Sequence, residues 1–88
     1  MKIRSDFVLR QVADTWIVLA IGAVAADFKG MLTLNESGVL LWKALESGAD
    51  RGHLADTLMS EYIVDRDQAL VDVDDFLNKL QSVGCLEV

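Results

Sequence analysis

The first third of the chain carries short runs of β-branched, aromatic and aliphatic residues, which is the pattern of β-strands. Two of these runs, residues 7–12 and 15–21, are separated only by Ala13 and Asp14, so they should form an antiparallel hairpin. A third run, residues 31–34, follows Gly30, and alternation puts Leu32 and Leu34 on one face. The pattern therefore predicts a three-stranded antiparallel sheet.

Apolar residues in the rest of the chain recur every three or four positions, as they do on the buried face of a helix. Three segments start at a short polar side chain that can accept a backbone N–H of the first turn: Asn35, Asp50 and Asp65. Gly48 and Gly84 are suited to end the first and the third segment. We predict one helix after Asn35, a second to about residue 62, and a third of about eighteen residues.

The third predicted helix has an unusually wide apolar band. One stripe consists of Ala69, Val73, Phe76 and Leu80, and a second stripe, one position round, of Leu70 and Leu77. Charged residues take the opposite side: Asp72, Asp75 and Lys79. We expect the first stripe to pack in the core and the second to lie at a rim, with a groove beside it.

Composition limits the class of protein. The chain has 88 residues, so we expect a single small domain over residues 1–88. An apolar content of 52% with no proline excludes disordered and collagen-like chains. One cysteine cannot close an intrachain disulfide, and with one histidine it falls short of a zinc site, so a reducing cytoplasm is the expected location.

The charge is uneven along the chain. Residues 1–34 carry four bases and three acids, whereas residues 35–88 carry four bases and eleven acids, for a net charge of −6. Such a surface repels phosphate backbones and anionic lipids, so we expect neither a nucleic-acid nor a membrane partner. The uncharged apolar stretch at residues 16–26 is about half of a membrane span and begins late for a signal peptide, so we expect neither.

Few side chains could carry chemistry: His53, Ser37, Cys85 and the acidic cluster Asp72, Asp74 and Asp75. The histidine has no second ligand at metal-site spacing, and neighbouring carboxylates on a helix diverge. The serine lacks the motif of a nucleophile, and the cysteine has no cationic neighbour to make it reactive. We predict no catalytic residue, metal or cofactor.

Residues 34–42, Leu-Asn-Glu-Ser-Gly-Val-Leu-Leu-Trp, resemble the LNxxGxxxW core of the family of coenzyme pyrroloquinoline quinone (PQQ) synthesis protein D, PqqD. Residues 61–84 are similar to the EYxVD…DVxxFLxxLxxxG ending of that family in order and spacing. The start resembles its short stand-alone members at these positions: Phe7-Val8-Leu9-Arg10, Gly22, Phe28 and Gly30-Met31. The resemblance covers nearly the whole chain.

The resemblance implies an α+β, winged-helix-like fold with a three-stranded antiparallel sheet followed by three helices. It also implies a non-catalytic role, in which the protein binds the leader of a ribosomally made precursor peptide and presents the precursor to a modifying enzyme. In this family that enzyme is often a radical S-adenosylmethionine (SAM) enzyme, and PQQ is only one of the products.

In the family, the leader adds a strand to the edge of the third sheet strand and lies against the third helix. The corresponding strand residues here are Met31, Leu32, Thr33 and Leu34, and those on the helix rim are Leu70, Val73, Asp74 and Leu77. The acidic second half of the chain leads to the hypothesis that this leader carries Lys or Arg. Departures at residues 19–23 and at Cys85 leave the identity of the partner open.

Two other functions fit a winged-helix shape. A DNA-binding regulator is one, although the segment from Arg51 to Tyr62 sets one Arg and one His against Asp56 and Glu61. A general protein-interaction or assembly module is the other. Because an exposed edge strand can pair with a second copy, both a monomer and a homodimer are compatible with the sequence.

Overall fold

The computed structural model describes residues 1–22 and 32–87. Its elements in chain order are β1 (Lys2–Ile3), β2 (Phe7–Val12), β3 (Thr15–Ala20), β4 (Leu32–Leu34), α1 (Glu36–Glu46), α2 (Arg51–Glu61), α3 (Arg66–Ser82) and β5 (Leu86–Glu87). The α+β prediction of an antiparallel sheet followed by helices is confirmed for the described residues. Met31, which belongs to the predicted peptide site, lies outside them.

The main sheet has the order β2-β3-β4 and is antiparallel throughout. In the hairpin, Val12 pairs with Thr15, and Ala13 takes a positive φ of 54° in the two-residue turn. Val18 pairs with Leu32, and both side chains are buried on the face that packs on the helices. Strand β4 consequently forms one edge of this sheet.

A small second sheet pairs β1 with β5, so that the two ends of the chain are held together. The Arg4 N–H donates to the Cys85 carbonyl oxygen at 2.9 Å beside this pair. The sequence pattern did not predict β1, because a strand of two residues is too short to show a periodicity.

Each predicted helix start is confirmed by a side-chain bond to the first turn. Asn35 Oδ1 accepts from the Gly38 N–H at 2.9 Å, Asp50 Oδ1 from His53 at 2.7 Å, and Asp65 Oδ1 from Gln68 at 2.8 Å. The Gln68 amide does not reach back toward Asp65 but donates to Asp72 at 2.9 Å. Only one half of a capping box therefore forms at α3.

The core lies between the sheet and the helices. Its largest fully buried side chains include Trp42 and Leu45 of α1, Leu54 of α2 and Leu80 of α3. The predicted core stripe of α3 is confirmed, since Ala69, Val73, Phe76 and Leu80 are all buried. Among the described residues, no helix is long and apolar enough to cross a membrane.

Candidate functional site

The backbone of Thr33 faces the open edge of β4. The Ile21 N–H donates to the Asp6 carbonyl oxygen at 2.8 Å, so Asp6 and Ile21 form a hydrogen-bonded pair at the start of the β2–β3 ladder. Bonded and non-bonded pairs alternate along an antiparallel ladder, so Ile17, four residues before Ile21, is again in a bonded pair with β2. The N–H and C=O of Ile17 therefore point to β2 and not to β4. Thr33 is paired opposite Ile17, so its N–H and C=O point away from β3.

A contact from α3 confirms that the Thr33 carbonyl points away from β3, because Lys79 of α3 reaches it. Its Nζ donates to the Thr33 carbonyl oxygen at 3.5 Å, a long and therefore weak hydrogen bond. Within the described part of the chain, β4 pairs only with β3. The edge thus offers backbone groups to which an extended chain can bond.

A groove of about 760 Å³ runs between β4 and α3. Its lining comes from β4 and the start of α1, from the end of α2 and the following loop, and from one face of α3. The lining residues are Thr33, Leu34, Asn35, Ser37, Gly38, Leu41, Leu58, Tyr62, Val64, Asp72, Asp75, Phe76 and Lys79.

Two contacts fix the direction of α3 along the groove. Lys79 lies at Thr33, whereas Phe76, about one turn earlier, lies beside Gly38, where a Cβ would be 3.4 Å from the Phe76 Cε1 atom. Gly38 follows Thr33 in the chain, so α3 runs antiparallel to β4 across the groove. Asp72, another turn earlier, lies toward the end formed by Tyr62 and Val64.

The α3 wall of the groove is charged. Asp75 makes no hydrogen bond or ion pair with any described residue, and Asp72 accepts one bond from the Gln68 amide. Lys79 has only its weak bond to the Thr33 carbonyl. Two carboxylates and one ammonium group therefore face the groove with most of their bonding capacity unused.

Asp74 is in a different electrostatic situation. It receives two hydrogen bonds from the Arg51 guanidinium, at 2.6 and 2.8 Å, and these bonds hold the pKa of Asp74 below its ordinary value. Leu70, Asp74 and Leu77 are four and three residues apart and share one face of α3, which the ion pair places next to α2.

The structure separates the predicted site residues into two groups. Thr33 and Leu34 line the groove, and Leu32 is buried on the core side of β4. The four residues predicted on the helix rim do not line it: Leu70, Val73, Asp74 and Leu77. Val73 is fully buried, and the other three share the α2 side of α3. That they contact a peptide stays a prediction.

The groove residues of α3 that sequence reasoning missed nevertheless form a regular pattern. Asp72, Asp75, Phe76 and Lys79 stand at positions i, i+3, i+4 and i+7, which is one helical face. Charged residues on the side opposite the apolar band are typical of a solvent-exposed face, so the pattern alone does not indicate a groove there. Phe76 could have indicated the groove from the sequence, because this large aromatic residue lies where the core stripe meets the charged face.

Gly38 allows the close approach of α1, β4 and α3. A Cβ at this position would lie 3.2 Å from Asn35 Oδ1 and 3.3 Å from the Leu34 Cβ. The Asn35 oxygen cannot easily move, because it caps α1 by accepting the Gly38 N–H. Gly52, also in the first turn of a helix, has its nearest neighbour at 3.5 Å, an ordinary contact.

We expect Gly38→Ala to lower the free energy of unfolding by about 1 kcal/mol, because overpacking outweighs the gain in helix propensity. Gly52→Ala is the matched control and should leave stability unchanged or raise it by up to about 1 kcal/mol. Urea unfolding followed by tryptophan fluorescence measures both. Equal stabilisation by the two substitutions would contradict the close packing at Gly38.

The other side chains that could carry chemistry, Cys85 and His53, do not come together in one site. Cys85 is fully buried, and burial raises the pKa of its thiol to about 11, so little reactive thiolate forms near neutral pH. His53 is exposed at the start of α2. In residues 1–22 and 32–87, no group of histidine, cysteine and acidic side chains could hold a metal ion.

Comparison with known proteins gives a family match and two similar folds. The family model of coenzyme PQQ synthesis protein D (PqqD) matches residues 15–86. The structure titled "TbiB1 in Complex with the TbiA(beta) Leader Peptide" is similar with a TM-score of 0.79 and 29% identity, over 99% of this chain and 95% of that one. "Lasso peptide synthetase B1 complexed with the leader peptide" has a TM-score of 0.77 and 23% identity, over 96% and 93%. No curated protein sequence matches significantly.

Proposed function

The chain belongs to the family of coenzyme PQQ synthesis protein D, and from this premise we propose that it binds the leader of a ribosomally made precursor peptide. The leader adds to β4 as a further antiparallel strand and lies in the groove against α3. The observation that carries the proposal is the outward-facing backbone of Thr33 beside a groove of about 760 Å³.

The physical chemistry of strand addition suits such a role. Main-chain hydrogen bonds to an open edge give affinity with little demand on sequence, and the alternate side chains that enter the groove give selectivity. Leu32 and Leu34 anchor β4 by burial in the core, so the edge is held rigid before the peptide arrives. A rigid edge lowers the entropy that binding must overcome.

The similarity to TbiB1 supports the same ligand class. At 29% identity over nearly the full length of both chains, TbiB1 shares the fold, and its structure contains a leader peptide. We therefore propose a leader segment as the ligand here.

We further propose that the protein is not itself an enzyme and hands the bound precursor to a separate modifying enzyme. The side chains that line the groove include neither histidine nor cysteine, and the buried Cys85 is not among them. A radical SAM enzyme is the first class of partner to test. Because precursors are made on ribosomes, we place this step in the cytoplasm.

Charge argues against the DNA-binding alternative. Arg51 is paired with Asp74, and Arg66 with Asp56 at 2.7 Å, so both guanidinium groups near α2 already have a carboxylate partner. Duplex DNA would have to compete with these carboxylates at a surface of negative net charge. The proposed peptide role has no such cost, because its main bonds are neutral backbone bonds.

An NMR titration tests the proposal directly. Isotopically labelled protein is titrated with synthetic leader segments from the short reading frames beside its gene, and in parallel with duplex DNA at low salt. We expect the amides of β4 and of the groove face of α3 to shift together with one of the peptides. Peptide shifts confined to α2 or to the outer sheet face, or a response only to DNA, would contradict it.

A further inference from the structure

We propose that Asp75 and Lys79 read a charge pattern in the leader, namely a basic residue followed two positions later by an acidic residue. This inference rests on the proposed function and names the sequence feature that the same groove selects. It replaces a general preference for basic leaders with a directional pair of opposite charges, assigned to two side chains of α3.

The spacing of the two side chains matches one side of a strand. Asp75 and Lys79 are four residues apart on α3, which corresponds to a rise of about 6 Å. Residues i and i+2 of an extended chain project to the same side and are about 6.7 Å apart. Two alternate leader side chains can therefore lie opposite Asp75 and Lys79 at the same time.

The order of the charges follows from two directions already established. Since α3 runs antiparallel to β4, a leader that adds antiparallel to β4 runs parallel to α3. Its chain then passes Asp75 before it reaches Lys79. The residue facing Asp75 is the earlier of the two and should be Lys or Arg, and the later one, facing Lys79, should be Asp or Glu.

Lys79 has a specific reason to require an acidic partner. In the free protein its ammonium group bonds weakly to the Thr33 carbonyl oxygen, at 3.5 Å. A leader strand brings its own backbone N–H to that oxygen and displaces the ammonium group. An acidic leader side chain then replaces the lost acceptor, whereas a basic one repels the displaced ammonium group and an apolar one offers it no acceptor.

The opposite requirement applies at Asp75. This carboxylate has no hydrogen-bond or ion-pair partner in the described residues, and a peptide lying across it removes part of its water. A Lys or Arg of the leader compensates for that loss. Asp74, one residue earlier, is already neutralised by Arg51 and lies on another face, so it should play no part.

The test is selection from a library of short random peptides displayed on phage, with three forms of the full-length protein as targets. They are the unchanged protein, the charge-swapped Asp75→Lys/Lys79→Glu, and the control Lys2→Glu/Glu87→Lys. The control swaps a cross-strand pair of β1 and β5, away from the groove, and all three share one net charge. Circular dichroism checks that each is folded.

On the unchanged protein and on the control we expect enrichment of basic-x-acidic peptides, where x is any residue. On the charge-swapped protein we expect acidic-x-basic peptides. A peptide selected on the unchanged protein should bind the charge-swapped form about tenfold more weakly, since two attractions become repulsions, and the control equally well.

Two different failures can be told apart with Thr33→Pro. Peptides that lose binding to Thr33→Pro but show no charge pair, or that bind the charge-swapped protein equally well, would overturn this inference and leave the proposed function standing. If every selected peptide binds Thr33→Pro as well as the unchanged protein, the strand-addition proposal fails together with it.

Discussion

Thr33→Pro is expected to weaken leader binding about 100-fold while the fold is retained. Proline removes the N–H that faces the open edge, leaves a leader carbonyl without its donor, and puts a ring where the peptide must approach. These losses together amount to about 2 to 3 kcal/mol. Isothermal titration calorimetry with the leader segment identified by NMR measures the change.

The fold should tolerate this proline because of the strand register. The N–H of Thr33 points away from β3, so the β3–β4 ladder loses no bond, and proline is accepted at such positions of edge strands. Gln11→Pro is the matched control. Gln11 pairs opposite Trp16 on β2, at the other edge of the sheet, and by the same alternation its N–H also faces outward. Its proline should leave binding unchanged.

A second measurement leaves the protein unaltered. Methylation of single backbone nitrogens along the leader should abolish binding at alternate positions only, those whose N–H bonds to β4. If binding survives Thr33→Pro and is insensitive to every methylated position, the peptide is held by side chains alone. The strand-addition proposal would then be wrong.

Helix boundaries could be predicted because their signals are local. Asn35, Asp50 and Asp65 each accept a hydrogen bond from the backbone N–H three positions later. Donor and acceptor therefore lie within one short stretch of sequence, where the pattern can be recognised. The hairpin was predictable for the same reason, since its turn has two residues. The β1–β5 pair joins opposite ends of the chain, and no short-range pattern encodes it.

The groove was harder to predict because it depends on contacts between distant segments. Periodicity identified the core stripe of α3 but not which flank would be covered by α2. The Arg51–Asp74 ion pair, 23 residues apart, places α2 on the flank of Leu70 and Leu77 and leaves the opposite flank facing β4. That flank holds Asp75 and Lys79, which the helical periodicity places opposite the apolar band without indicating that another element faces them.

The edge itself was predictable and its atomic detail was not. The sequence located the third sheet strand and its burial alternation, so Leu32 and Leu34 were expected on one face, as they are. Which backbone N–H and C=O groups of β4 point away from β3 depends on which residue pairs of the sheet are hydrogen-bonded. That alternation starts from the Asp6–Ile21 bond, just beyond the end of β3. The outward direction of the Thr33 N–H is therefore a property of the assembled sheet that no local sequence pattern encodes.

Tyr62→Ala is expected to weaken leader binding about 30-fold. Tyr62 lies at the end of the groove where α2 finishes, and 41% of its surface is exposed. An apolar leader residue that covers this ring would bury about 80 Å² of it, which is worth about 2 kcal/mol. Aromatic side chains of this kind frequently dominate binding energy at interfaces.

Ile63→Ala supplies the control one residue further along. Ile63 is fully exposed and does not line the groove, so its truncation should change neither stability nor binding, even though it removes a comparable apolar side chain. Tyr62→Phe should retain most of the affinity, because the Tyr62 hydroxyl forms no hydrogen bond with the described residues and the ring supplies the contact. Calorimetric titration of the three variants separates these effects. Equal losses for Tyr62→Ala and Ile63→Ala would mean that the peptide lies over the exposed loop instead of entering the groove between β4 and α3.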